Sequence, residues 1–127
     1  MTTSNRILVV DDEPDHSLIF SKALEDNGFA VDTFIDPQLV LSNFRADLYD
    51  LLIIDIKMPK MSGFDLYIEI KKVDKKVKVC FLTAFGEGYY EDFKKQLPDS
   101  AEADFIRKPI AIHDLVKRVK AKLATSL

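Results

Sequence analysis

A chain of 127 residues, 47% hydrophobic and 31% charged, has the size and composition of one globular domain that buries roughly two thirds of its unfolded surface, not those of a disordered segment. One cysteine, Cys80, excludes an internal disulfide and a cysteine-based zinc site, and a net charge of −3 argues against a dedicated nucleic-acid binder. The charge is divided unevenly: residues 1–56 hold 3 Lys and Arg against 11 Asp and Glu, and residues 57–127 hold 15 against 10.

Met1–Arg6 leads into an apolar run too short for a signal peptide. The longest apolar runs have four residues, far below the ~20 of a membrane span, so a cytoplasmic protein without membrane contact is expected. Ile7–Val10 is the first run and stops at Asp11-Asp12; Leu51–Ile54 stops at Asp55 and Val79–Leu82 at Thr83. Continuous rather than alternating apolar character suits strands buried on both faces, as in a parallel sheet covered by helices. Two further strands are expected at Ala30–Phe34, after Gly28, and at Asp104–Arg107, before Lys108-Pro109.

Helical patterns fill the gaps. Pro14–Asn27 opens on a first-turn proline and closes at Gly28. Asp36-Pro37 offers an N-cap and a first-turn proline for a second helix reaching about Ala46. Gly63–Val73 sets Phe64, Tyr67, Ile68 and Lys71 at helical spacing, and Gly88–Leu97 reads as a fourth helix. The last helix carries an apolar stripe of Ile112, Leu115, Val116, Val119 and Leu123, with Lys117, Arg118, Lys120 and Lys122 off it as a solvated or partner-facing surface. The order is βα repeated five times. Such alternation implies a parallel, doubly wound α/β sheet in one domain, residues 1–127 with a core of about 6–124, whose site lies at the carboxyl ends of the strands.

On that scaffold Asp11 and Asp12 leave the first strand, Asp55 the third, Thr83 the fourth and Lys108 the fifth. If those strands are neighbours, three carboxylates and one lysine meet at one edge. Two unit charges ~4 Å apart repel by about 4 kcal/mol at an effective dielectric of 20. Lys108 relieves part of that excess. The remainder suits a hard divalent cation, and oxygen ligands with open positions favour Mg²⁺. A carboxylate beside Mg²⁺ and lysine is equipped to attack phosphorus in line, and Asp55, ionised at neutral pH, needs no base.

Asp11-Asp12, the apolar strand ending in Asp55 with Met58-Pro59 and Gly63 after it, Thr83-Ala84, and Lys108-Pro109 together resemble the receiver domain of two-component response regulators, the CheY-like superfamily, over about Arg6 to Leu123. The resemblance implies a flavodoxin-like (βα)5 three-layer sandwich with strand order 2-1-3-4-5. It implies that Asp55 takes a phosphoryl group from a sensor histidine kinase or phosphotransfer protein in a Mg²⁺-dependent reaction. It further implies that Asp12 binds the metal directly, Asp11 largely through water, and Lys57 through its backbone carbonyl. Thr83 and Lys108 would then bind the phosphoryl oxygens. Thr83 and Phe105 would act as switch residues that remodel the face of the fourth helix, fifth strand and fifth helix. Such a domain catalyses only its own phosphorylation and dephosphorylation. Its output would pass to a protein target or to a C-terminal effector domain outside this chain, and a homodimer is possible through that face. A cis Lys108–Pro109 bond is also implied. Lys57 and Phe85 flank the family's path for hydrolytic water, which predicts a long-lived aspartyl phosphate.

Single residues also have plainer readings. Asp11-Asp12 alone is a solvated turn, Phe105 a core aromatic, Cys80 a buried reduced thiol. His16 and His113, early in the first and last helices, lack a second His or Cys at ligand spacing and are set aside as metal ligands or phosphohistidines. The competing enzyme reading is an Asp-nucleophile, Mg²⁺-dependent phosphatase of the haloacid dehalogenase type. That family needs a second Asp two residues after the nucleophile, where this chain has Lys57. A flavodoxin-like FMN binder would want a Ser/Thr/Gly-rich loop after the first strand, where Asp11-Asp12-Glu13-Pro14 would repel phosphate.

Overall fold

The computed structural model describes residues 5–84, 91, 95 and 103–124. Five strands form the sheet: β1 (Arg6–Val10), β2 (Ala30–Phe34), β3 (Leu51–Asp55), β4 (Lys78–Thr83) and β5 (Asp104–Arg107). All pair in parallel in the order β2-β1-β3-β4-β5. The described helices are α1 (Pro14–Asp26), α2 (Pro37–Asn43), α3 (Gly63–Val73) and the last helix, here α4 (Ile112–Ala124). The expected helix at Gly88–Leu97 lies, apart from Glu91 and Lys95, outside the described residues, as does Phe85.

Successive strand residues face opposite sides of a sheet, and here the two sides become two cores. Leu8, Val10, Leu52, Ile54, Val79 and Phe81 pack with Val40 of α2 and with Phe64, Leu66, Tyr67 and Ile70 of α3. Ile7, Val9, Leu51, Ile53, Cys80, Leu82 and Ile106 pack with Phe20 and Leu24 of α1 and with Leu115, Val116 and Val119 of α4. Ile7–Val10 and Leu51–Ile54 are wholly excluded from solvent, which accounts for their unbroken apolar character. The chain leaves β1 toward β2, then returns to place β3 on the other side of β1. The crevice above β1 and β3 is therefore the switch point where sheets of this kind bind ligands.

Two local expectations need correction. The second helix stops at Asn43, not near Ala46, because Phe44 turns to an extended backbone (φ −73°, ψ 138°) and lays its ring on Tyr49, centroids 5.9 Å apart. In α3 the buried stripe includes Leu66 and Ile70 rather than Ile68 and Lys71, which are only half-buried. The helix is rotated so that Gly63 meets β3. A Cβ at Gly63 would clash with the Asp55 carbonyl oxygen and lie 2.9 Å from Ile54 Cγ2. That close approach is sealed by the Gly63 N–H donating to Ile56 O at 2.8 Å. Ser62 caps the helix, its side chain accepting from the Asp65 N–H at 3.1 Å.

Candidate functional site

The five polar residues expected at strand ends do meet. Register aligns Val10 with Ile54 and Asp55 with Leu82, so Asp11 and Asp55 emerge side by side from neighbouring strands. One further bond beyond each of three of the four ladders holds this edge. Asp11 N–H donates to Phe34 O at 3.2 Å, Ile56 N–H to Leu82 O at 2.9 Å and Lys108 N–H to Thr83 O at 2.7 Å. Asp11 (0% exposed), Asp55 (6%) and Thr83 (7%) are buried, and Asp12 is half-buried.

Carboxylate oxygens of Asp11, Asp12 and Asp55 lie within 4.8 Å of one another. Lys108 Nζ reaches between them, 3.1 Å from Asp55 Oδ2 and 3.1 Å from Asp11 Oδ2. Asp11 is further fixed by the Glu13 N–H, which donates to Oδ1 at 2.9 Å. Burial and the charge of Asp11 push the Asp55 carboxyl up to about 6 against the opposing pull of Lys108. Asp55 is thus mostly ionised at neutral pH, but far less firmly than an isolated aspartate. Burial would lower the Lys108 ammonium; its contacts with Asp55 and Asp11 outweigh that and hold it above the ordinary lysine value.

Asp12, Asp55, Lys57, Thr83 and Lys108 line a depression of about 970 Å³, with Met58, Pro59 and Ile110 at its apolar rim. The donor set is hard oxygen, two acids more than the one lysine balances, and it fits a small divalent cation better than a soft metal. Lys57 stands where a dehalogenase-type phosphatase would carry its second Asp, and Asp12 and Glu13 face the cavity where a flavin phosphate would need donors.

The family model of the response regulator receiver domain matches residues 7–120, nearly the whole chain. This chain belongs to the response regulator receiver domain family. Among relatives, the transcriptional regulatory protein PrrA of Mycobacterium leprae is 35% identical over 95% of this chain, and RprY of Bacteroides fragilis 29% identical over 93%. The chain spans about half the length of these curated relatives, 51% and 49%. Among solved structures, the non-phosphorylated HemR receiver domain of Leptospira biflexa superposes with a TM-score of 0.86 at 25% identity, covering 98% of both chains. A CheY-like receiver from Methanospirillum hungatei gives 0.81 at 27% identity, covering 96% of this chain and 95% of that one. As the resemblance implied, the Lys108–Pro109 bond is cis.

Phe105 sits half-buried on the α3 side of this receiver's sheet, 5.4 Å from the Phe81 ring and 6.3 Å from that of Phe64. Its carbonyl accepts from Arg118 of α4 at 3.2 Å. His113 is exposed on α4. His16 is different: although set aside on sequence spacing, it lines the cavity with Nδ1 3.4 Å from Lys108 Nζ. Its clue was positional. Pro14 starts α1 two residues after Asp12, so the first turn of that helix brings His16 back over Asp11. Cys80 is buried and its thiol pushed up to about 12 by burial, which makes it a core side chain.

Proposed function

We propose that this receiver domain is a cytoplasmic phosphoacceptor of a two-component pathway, with Asp55 as the residue modified and no external substrate turned over. The convergence of Asp11, Asp12 and Asp55 within 4.8 Å around one lysine carries the reading. An Asp55 carboxylate oxygen attacks phosphorus in line as the P–N bond of a phosphohistidine breaks, and the imidazole leaves with the electron pair. Lys108 offers its ammonium to the phosphoryl oxygens, and Thr83, at the end of β4, its hydroxyl. Asp11, Asp12, Asp55 and the Lys57 carbonyl would hold Mg²⁺, which when bound neutralises charge on the transferring oxygens.

Thr83 and Phe105 would then convert the modification into a changed surface on β5, α4 and the segment before β5. The donor is a sensor histidine kinase or phosphotransfer protein, and homodimerisation through that surface is one possible output. Twofold longer relatives named as transcriptional regulators support an effector domain beyond this chain as the receiver of the signal. Incubation with acetyl phosphate and Mg²⁺ is expected to add one phosphoryl group to the wild type and none to Asp55→Ala, read by intact mass. Labelling that persists in Asp55→Ala, or in excess EDTA, overturns the reading.

A further inference from the structure

A lysine ammonium has three N–H donors and accepts nothing. Lys108 donates to Asp55 Oδ2 at 3.1 Å and Asp11 Oδ2 at 3.1 Å, and its Nζ lies 3.4 Å from His16 Nδ1, a third acceptor when that nitrogen carries no proton. The lysine side chain is only 13% exposed, and these are its polar partners among the described residues. His16 comes from the first turn of α1, on the cavity side opposite β5. Its other ring nitrogen, Nε2, lies 3.6 Å from Glu13 Oε2, and its ring stands 6.1 Å from that of Phe20. Nδ1 also stands 3.6 Å from Asp11 Oδ2, a little farther than the ammonium; in the neutral tautomer that carries its proton on Nε2, toward Glu13, the Nδ1 lone pair is available to Lys108.

The three acceptors do not have the same standing through a phosphorylation cycle. Transfer to Asp55 turns a carboxylate oxygen into an acyl phosphate, and a cation at Asp11 competes with the lysine for that carboxylate. His16 undergoes neither change. We propose that His16 is the positioning residue for Lys108, the fixed acceptor that keeps the ammonium aimed into the cavity while its two acidic partners change theirs. This rests on the phosphoacceptor reading given above. The plainer role for His16 is to pack on Phe20, and that role needs no lone pair.

Leucine keeps the bulk of His16 without an acceptor, and glutamine keeps an acceptor. The first measurement uses the unphosphorylated, metal-free protein: the ¹⁵Nζ–¹H signal of the Lys108 ammonium in an NMR spectrum tuned to ammonium groups. The signal is expected to be sharp in the wild type and in His16→Gln, and broadened by faster exchange in His16→Leu. The second is the rate of labelling by acetyl phosphate at saturating Mg²⁺. His16→Leu is expected to be roughly tenfold slower, the size of one hydrogen bond to a charged group, with His16→Gln restoring most of the rate. An unchanged Lys108 signal in His16→Leu, or a glutamine variant as impaired as leucine in both measurements, overturns the proposal. Should the wild type take no phosphoryl group while the ammonium signals behave as stated, the phosphoacceptor reading fails and the positioning of Lys108 stands.

Discussion

Asp74 and Asp55 are both aspartates at the end of an element, 5% and 6% exposed, and their surroundings are opposite. Asp74, closing α3, accepts the backbone N–H of Asp47 at 3.0 Å on one oxygen and that of Lys76 at 2.9 Å on the other. Nearby, Asp50 accepts the Arg6 N–H at 2.8 Å, and Asp32 accepts Tyr49 Oη–H at 2.7 Å and two N–H groups of Arg6. Asp55 shares the Lys108 ammonium with Asp11, and its acidic neighbours Asp11 and Asp12 repel it. In the first set Asp74 and Asp50 fix backbone N–H groups and Asp32 fixes two side chains, each with donors of its own. Among the described residues the second set has fewer donors, the Glu13 N–H on Asp11 and the shared ammonium, which on the proposed reading leaves its charge available to a cation or a phosphorus atom.

That contrast can be broken most severely at Asp74. Asp74→Ala removes the acceptor of two partly buried backbone N–H groups and is expected to cost about 3 kcal/mol in urea unfolding, two bonds to a charged acceptor at about 1.5 kcal/mol each, without loss of Mg²⁺ binding. A smaller loss would mean that water replaces the carboxylate. Next in size, Mg²⁺ at a hundred times its Kd is expected to stabilise the wild type by about 2.7 kcal/mol, and Asp74→Ala by the same increment, since the ion binds only the folded site. Asp55→Asn should lose most of that increment.

In metal-free protein, Asp55→Asn is expected to raise stability at pH 7 by about 2 kcal/mol. Asp55 holds its proton more tightly folded (about 6) than at its ordinary value of 3.8. The folded state therefore binds more protons across that window, and stability falls as pH rises through it. The advantage of Asn should vanish near pH 4, and saturating Mg²⁺ should flatten the wild-type profile. A gain that is the same at pH 4 and pH 7 would place its source elsewhere. Smallest is Tyr49→Phe, which takes one of three donors from Asp32 and should cost about 1 kcal/mol in thermal or urea unfolding.

Much of this was legible before any coordinates. β2 begins after Gly28, α3 begins at Gly63 and β5 ends before Lys108-Pro109, as the sequence punctuates them, because those residues act through local backbone geometry. The convergence of Asp11, Asp12, Asp55, Thr83 and Lys108 followed from strand ends plus the sheet order. What escaped depends on contacts far along the chain. The end of α2 is decided by Phe44 reaching Tyr49, the buried face of α3 by the fit of Gly63 against Asp55, and the place of His16 by a lysine 92 positions away. No local pattern records such pairings.

The three backbone bonds that extend the ladders at Asp11, Ile56 and Lys108 have a consequence for how a signal leaves the site. They clamp the main chain where the reacting groups are rooted, so the ordering entropy is settled during folding rather than at each encounter. On the proposed reading, a signal is expected to travel by rotation of side chains on that frame. Those three amides should be among the slowest in the molecule to exchange with deuterium, whether or not a phosphoryl group is present.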